Sequence, residues 1–276
     1  MNRPLGFLIH SNFYLSLGAS SIAYLCMALL QLAFRWEPLF ISFCATLFLY
    51  NLNRYTDLVE DSVNSPERVK FFKGSGKSVF YLSAGLYVAS LWLAFTNSLL
   101  TLGLALVPLL LVFSYSVIRL KKLLIFKNVI VAAGWALIAF LVLSYTPAPL
   151  EAYLTPAVLS VFAFIFIRVL IDTVVFDILD MEGDRKVHIR TIATTYGVKR
   201  VKTLSHNLNL LSLALFLLLW NRLVPMDPFI GNLVIIWSFL YIFLITRADV
   251  KRVSDVVVDG EIVLLGLAVL ALQLLL

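Results

Sequence analysis

Carboxylates concentrate at two points of a chain that otherwise carries few. Asn53-Arg-Tyr-Thr-Asp57-Leu-Val-Glu60-Asp61 closes one apolar stretch, and Asp177-Ile-Leu-Asp180-Met-Glu-Gly183-Asp184 closes another. Asn53, Asp57 and Asp61 are spaced i, i+4, i+8, so on an uninterrupted helix they form one stripe that drifts about 40° per step and runs roughly 12 Å. Asp177, Asp180 and Asp184 are spaced i, i+3, i+7 and also share a face. Acids at the edge of a hydrocarbon layer are costly to keep there, and they persist because a cation, a metal or a substrate needs them. Magnesium takes oxygen ligands and completes its shell with water and substrate phosphate. Two such stripes could therefore hold two or more ions bridging a diphosphate, with Asn53, Asp57, Asp61, Asp177, Asp180 and Asp184 as candidate ligands. Either cluster alone could equally be a solvated helix end paired with nearby Lys and Arg; their matched spacing and common membrane side favour a shared site.

The elements that must position these acids are apolar. Of 276 residues, 61% are hydrophobic and 14% charged, with a mean hydropathy of +0.96. A soluble domain would have nearer 45–50% apolar and about 25% charged residues, so the composition is that of an integral membrane protein. The 21 Phe and 11 Tyr suit a lipid-facing surface and its interfacial belts. Cys26 and Cys44 lie within apolar stretches, where a thiol acts as a small hydrophobe. No removable signal peptide is expected at the N-terminus.

A helical span needs about 20 apolar residues. Nine are expected, near 13–33, 37–53, 78–96, 98–118, 125–145, 154–176, 204–221, 229–246 and 259–276. The expected fold is an all-α integral membrane protein: nine transmembrane helices around a central cavity, in a single domain over 1–276. All Lys and Arg except Arg3, Arg35, Arg168 and Arg222 fall in the segments after spans two, four, six and eight. The positive-inside rule then places the N-terminus, the basic loops and both acidic clusters in the cytoplasm. Topology accounts for the net charge of +6, and no nucleic-acid partner is implied. Asp57 and Asp180 stand 123 residues apart, as do Asp61 and Asp184. That spacing suggests two related four-helix halves, plus a ninth helix, with the clusters facing across the cavity.

Arg68, Lys121, Lys122, Lys186 and Arg190 lie in loops on the cluster side and are candidates for contacting a diphosphate, whose developing charge cations stabilise. Arg168 and Asp172, i and i+4 within span six, are expected to form a buried structural ion pair. Asp255 and Asp259, followed by Gly260 and Glu261, look like a capped cytoplasmic start to span nine. Tyr55 and Tyr115 could line the cavity, with interfacial anchoring as their default role.

With these residues in place, the sequence resembles the UbiA superfamily of intramembrane prenyltransferases. That family has nine transmembrane helices and pairs an Asn-Asp-x-x-Asp-x-x-x-Asp motif after helix two with an Asp-x-x-x-Asp motif after helix six. Asn53, Asp57 and Asp61 fall on the first, Asp180 and Asp184 on the second. Asn64-Ser-Pro66-Glu-Arg68 is similar to the segment following the first motif. Tyr115-Ser-Val-Ile-Arg119-Leu-Lys121-Lys122 with Lys127-Asn128 is similar to the segment between helices four and five. Three departures stand out: Arg54 in place of the first motif's first Asp, His188 where Gly is common, and Val69-Lys-Phe-Phe-Lys-Gly74 after the first motif. Arg54 removes one possible metal ligand and could contact phosphate instead.

The resemblance implies Mg²⁺-dependent transfer of a polyprenyl group from its diphosphate to an acceptor within the membrane. Asp57, Asp61, Asp180 and Asp184 would be the catalytic carboxylates, supported by Asn53 and Asp177. An aromatic ring, a glyceryl phosphate lipid precursor and a tetrapyrrole acid are all acceptors in that family. Two rival readings make different demands. A CDP-alcohol-type head-group transferase requires Asp-Gly followed by Ala-Arg and a second acidic motif, whereas Asp259-Gly260 stands alone. A cation transporter requires acids near mid-span on broken helices, whereas these clusters lie at span ends.

Overall fold

The computed structural model describes residues 3–116, 124, 126–186, 188–215, 217, 228–244 and 254–275, and within them the chain is all helix and turn. In chain order the α-helices are α1 Arg3–His10, α2 Phe13–Leu29, α3 Trp36–Thr56, α4 Leu58–Asn64, α5 Pro66–Phe71, α6 Lys77–Asn97, α7 Leu99–Ser116, α8 Phe126–Ala136, α9 Ile138–Leu143, α10 Pro156–Lys186, α11 Ile192–Tyr196, α12 Val198–Leu215, α13 Pro228–Leu244 and α14 Gly260–Leu275. Three helical stretches are long and apolar enough to cross a membrane: Pro66–Asn97, Phe126–Leu143 and Pro156–Lys186. Shorter apolar helices run Phe13–Leu29, Leu99–Ser114 and Ile235–Leu244. With no water in a bilayer core, helices keep every backbone polar group bonded within the segment.

Helix α10 is the axle. At 1.5 Å per residue its 31 residues run about 46 Å, beyond the roughly 30 Å of hydrocarbon in a bilayer. The surplus at its C-terminal end carries Asp177, Asp180 and Asp184. Acids there oppose the helix dipole, and Arg185 and Lys186 in the last turn offset them. Helices α8, α12, α4 and α11 pack on α10, while α2 packs on α3 and α14, and α3 on α6. The main core joins Ala19, Ile22, Ala23 and Cys26 of α2 to Ala132 and Ala136 of α8 and Val161, Phe164 and Ile165 of α10. Small residues let the backbones approach. The tightest case is Gly266 of α14, where a Cβ would stand 2.6 Å from Ser21 Cβ of α2.

Three segments differ from expectation. The basic stretch from Arg68 to Lys77, expected as a loop, is helical: α5 runs through a π-turn at Phe72–Gly76, kinked at Gly74, into α6. Span five is two helices, α8 and α9, meeting at Leu137. The last helix begins deep in the bundle, because Glu261 meets Arg168, nine residues or roughly 14 Å before Asp177 along α10.

Candidate active site

The first motif does not form a straight stripe. Helix α3 ends at Thr56 and Asp57 takes φ −107°, ψ 22°, bending the chain before α4. The ladder survives the bend: the Asp57 N–H reaches the Asn53 carbonyl at 2.9 Å, and the Asp61 N–H reaches the Asp57 carbonyl at 2.9 Å. The bend turns α4 onto α10 and so carries Asp61 toward the second cluster. That cluster rides an unbroken helix. Asn53, Asp57, Asp61, Asp177, Asp180 and Asp184 all line one cavity of about 550 Å³. Burial pushes the Asp61 carboxyl up to about 6; the Arg54 and Arg68 guanidiniums pull it down, while the carboxylates of Asp180 and Asp57 push it further up. Asp61 therefore feels an acid of each cluster.

The cations sort differently from the sequence expectation. Arg68 lines the cavity. Lys186 and Arg190 are exposed and are not among its lining residues. Lys121 and Lys122 lie outside the described residues, as does the side chain of Tyr115. Tyr55 is exposed and stacks on Phe80 at 5.8 Å, which suits an anchoring role. Arg54 is buried, lines the cavity and donates from Nη1 to the His10 carbonyl at the end of α1.

Lys127 was not singled out for the site, yet it sits at the centre of the second cluster. Its Nζ lies 2.6 Å from Asp177 Oδ1 and 3.3 Å from Asp184 Oδ2. Asn128 Nδ2 donates to Asp177 Oδ2 at 3.2 Å. Asp177, 1% exposed, is thus held by a lysine and an amide on α8. The available signal was positional: Lys127-Asn128 opens an apolar span on the cluster side. Beyond Asp184, its own carbonyl accepts the Ile189 N–H at 2.8 Å. His188 is left-handed at φ 57°, a conformation in which a side chain costs about 1–2 kcal/mol and glycine almost nothing.

Among the described residues, no three carboxylate, imidazole or thiolate side chains converge closely enough to enclose a metal alone. That wall suits magnesium, which binds through one or two carboxylates and fills its shell with water and phosphate oxygens. Asp177 and Asp184 are engaged by Lys127, and Asp57, Asp61 and Asp180 line the same cavity. A second, apolar cavity of about 150 Å³ adjoins the first between α3, α7, α8 and α9. Tyr50, Asn53, Val131 and Trp135 line both, and Pro108 and Leu111 wall the apolar one.

Arg168 does not pair with Asp172 as expected. Its Nη2 lies 2.5 Å from Glu261 Oε1, its Nε donates to the same oxygen at 2.7 Å, and Nη1 donates to Asn209 Oδ1 at 2.6 Å. Ser238 completes the set. Asp172 instead accepts the Tyr241 hydroxyl at 2.7 Å. A carboxylate from a distant helix displaced the i+4 partner because Arg168, 3% exposed, needs every donor met, and the fork of its guanidinium fits groups from three other helices.

Helices long and apolar enough to cross a membrane, with acids of both motifs around one cavity, mark a membrane protein. Residues 12–258 match the model of the UbiA prenyltransferase family, and the chain belongs to that family of membrane prenyltransferases. The fold is similar to that of a UbiA homolog from Archaeoglobus fulgidus bound to GPP and Mg²⁺ (TM-score 0.69, 14% identity, covering 96% of this chain and 99% of that one). It is also similar to the apo UbiA homolog from Aeropyrum pernix K1 (0.70, 15%, 95% and 97%). A structure of digeranylgeranylglyceryl phosphate synthase is similar at 0.59 and 18% identity, covering 97% and 98%. No curated protein matches the sequence.

Proposed function

We propose that the chain transfers a polyprenyl group from its diphosphate to an aromatic or lipid-precursor acceptor within the membrane, with Mg²⁺ as cofactor. The single observation that carries this is one cavity lined by both aspartate motifs and joined to an apolar annex. The structure of the Archaeoglobus fulgidus homolog bound to DMAPP and Mg²⁺ and the chain's family membership support the same donor and metal. A bound magnesium ion supplies Lewis-acid stabilisation of the diphosphate as its bond to carbon breaks. Asp57, Asp61 and Asp180 would hold it, and Asn53 lines both the cavity and the annex. Arg54, Arg68 and Lys127 place positive charge on the cavity wall, where the leaving diphosphate gains negative charge. The annex takes the isoprenoid tail, and Tyr50 and Trp135 stand where head and tail join. The helices exclude water, so that hydrolysis does not compete with transfer.

The same reading places nine spans in the membrane with the N-terminus and the cluster-bearing loops cytoplasmic. Described helices on the expected segments and the one-sided distribution of Lys and Arg support it. Asp61→Ala and Asp180→Ala are each expected to lower prenyl transfer by at least about a hundredfold while the purified proteins stay monodisperse. Near-normal turnover of a prenyl diphosphate by both variants contradicts the reading.

A further inference from the structure

An asparagine at the start of a helix ordinarily turns its side chain back to cap it, accepting a hydrogen bond from the second or third N–H. Asn12, immediately before α2, does not. Its backbone is left-handed, at φ 66° and ψ 10°, and its side chain makes no cap hydrogen bond. It is 2% exposed, and its Nδ2 is buried without a hydrogen-bond partner among the described residues. A buried donor with nothing to donate to costs stability, and a left-handed backbone under a side chain adds to that cost. Both costs fall on one residue in the wall of the catalytic cavity, which Ile9, Tyr14 and Leu15 line with it.

The turn that carries Asn12 is fastened to the helix of the first motif. Arg54 Nη1 donates to the His10 carbonyl, and Asn51 Nδ2 donates to the Ser11 carbonyl at 3.1 Å. The Asn12 carbonyl accepts the Ser16 N–H at 3.0 Å and the Ser16 hydroxyl at 2.8 Å. Three consecutive carbonyls are thus bonded, and the Asn12 amide group is left over. The first turn of α2 brings further donors. A helix N-terminus has N–H groups without intrahelical partners and a positive partial charge, so it attracts anions. The Phe13 N–H reaches Ser11 Oγ only at 3.5 Å, and the first turn of α2 contains no acid. Arg54, bonded to the same turn, lines the same cavity.

We propose that Asn12 Nδ2 and the N-terminus of α2 form an oxyanion corner that takes a phosphate oxygen of the prenyl donor's diphosphate, alongside the aspartate motifs. Asn12 donates a hydrogen bond to that oxygen, and the helix end stabilises its charge. The stability given up in the ligand-free protein is regained when the oxygen arrives, which is why a residue that caps poorly is kept here. The proposal rests on the prenyltransferase reading above and adds a binding residue to its diphosphate.

Calorimetric titration of the purified protein with pyrophosphate in Mg²⁺ and the ligand-free unfolding midpoint in detergent are the two readouts. Asn12→Gly removes the orphan donor and suits the left-handed backbone. Asn12→Leu keeps the bulk without the donor. Both variants are expected to bind pyrophosphate at least about tenfold more weakly, or by about 1.4 kcal/mol, while the midpoint of Asn12→Gly stays level or rises. Pyrophosphate affinity left unchanged in either variant overturns the proposal, as does a lowered midpoint in Asn12→Gly, the mark of a structural asparagine. A loss confined to para-hydroxybenzoate or glycerol phosphate also overturns it, because the corner would then serve the acceptor. Native protein that binds no pyrophosphate in Mg²⁺ strikes the parent reading instead, so the two failures are separable.

Discussion

Lys127 sets the chemistry of the second motif at the scale of single residues. Removing one partner of a buried ion pair leaves an uncompensated charge, which costs far more than replacing the whole pair. Asp177 and Asp184 share this one ammonium. Lys127→Met is therefore expected to destabilise the protein by about 3–5 kcal/mol, read as a lowered unfolding midpoint in detergent. Adding Asp177→Asn should recover part of that loss, because an amide needs no counter-ion. An unaltered midpoint in Lys127→Met contradicts this account of the cluster. The acids themselves were legible in the sequence, since spacing alone put Asp57, Asp61, Asp180 and Asp184 on common faces. Their partners were not. Which cation meets which acid depends on helix neighbours, and α8 reaches α10 across 49 residues of chain between Asn128 and Asp177. The assumed Arg168–Asp172 pair failed for the same reason: helical spacing permits an i+4 contact, but Glu261, 93 residues away, reached the guanidinium instead. Arg54 and His188 were visible as departures from the family pattern; their explanations, a bond to the His10 carbonyl and a left-handed backbone, are conformational.

Among elements, hydropathy located the apolar helices because apolar composition tracks immersion in lipid. It missed one helical extension and one buried environment. The segment from Arg68 to Lys77 looked like a loop because it is basic, yet charged residues are good helix formers outside the hydrocarbon, and here they extend α6 through a π-turn. The start of α14 looked cytoplasmic because Asp255, Asp259 and Glu261 are acidic, yet Glu261 lies in the bundle interior against Arg168. The contact of α14 with α2 closes the deep side of the cavity, with Gly18 and Tyr14 on one helix and Ile262 on the other. At its crossing, Gly266 leaves no room for a Cβ beside Ser21. Gly266→Val is expected to cost about 1–3 kcal/mol by overpacking, measured as a fall in the unfolding midpoint, and Ser21→Gly in the same chain should restore most of it. Equal midpoints for Gly266→Val and the native protein would show that these helices do not meet so closely.

For the whole molecule, the bend at Asp57 and the overlength of α10 act together. One swings α4 onto α10, and the other carries three aspartates past the apolar span, so that motifs 123 residues apart share a cavity. Sequence symmetry pointed to that meeting but could show neither the bend nor the apolar annex, which forms from side chains of four helices. The account stands or falls on both motifs gripping one diphosphate through metal. Calorimetric titration of the purified protein with pyrophosphate, with and without Mg²⁺, measures this most directly. Binding should require Mg²⁺ and weaken by at least about tenfold, or about 1.4 kcal/mol, in both Asp61→Asn and Asp180→Asn. Pyrophosphate binding that needs no Mg²⁺, or that one of these variants leaves untouched, contradicts it.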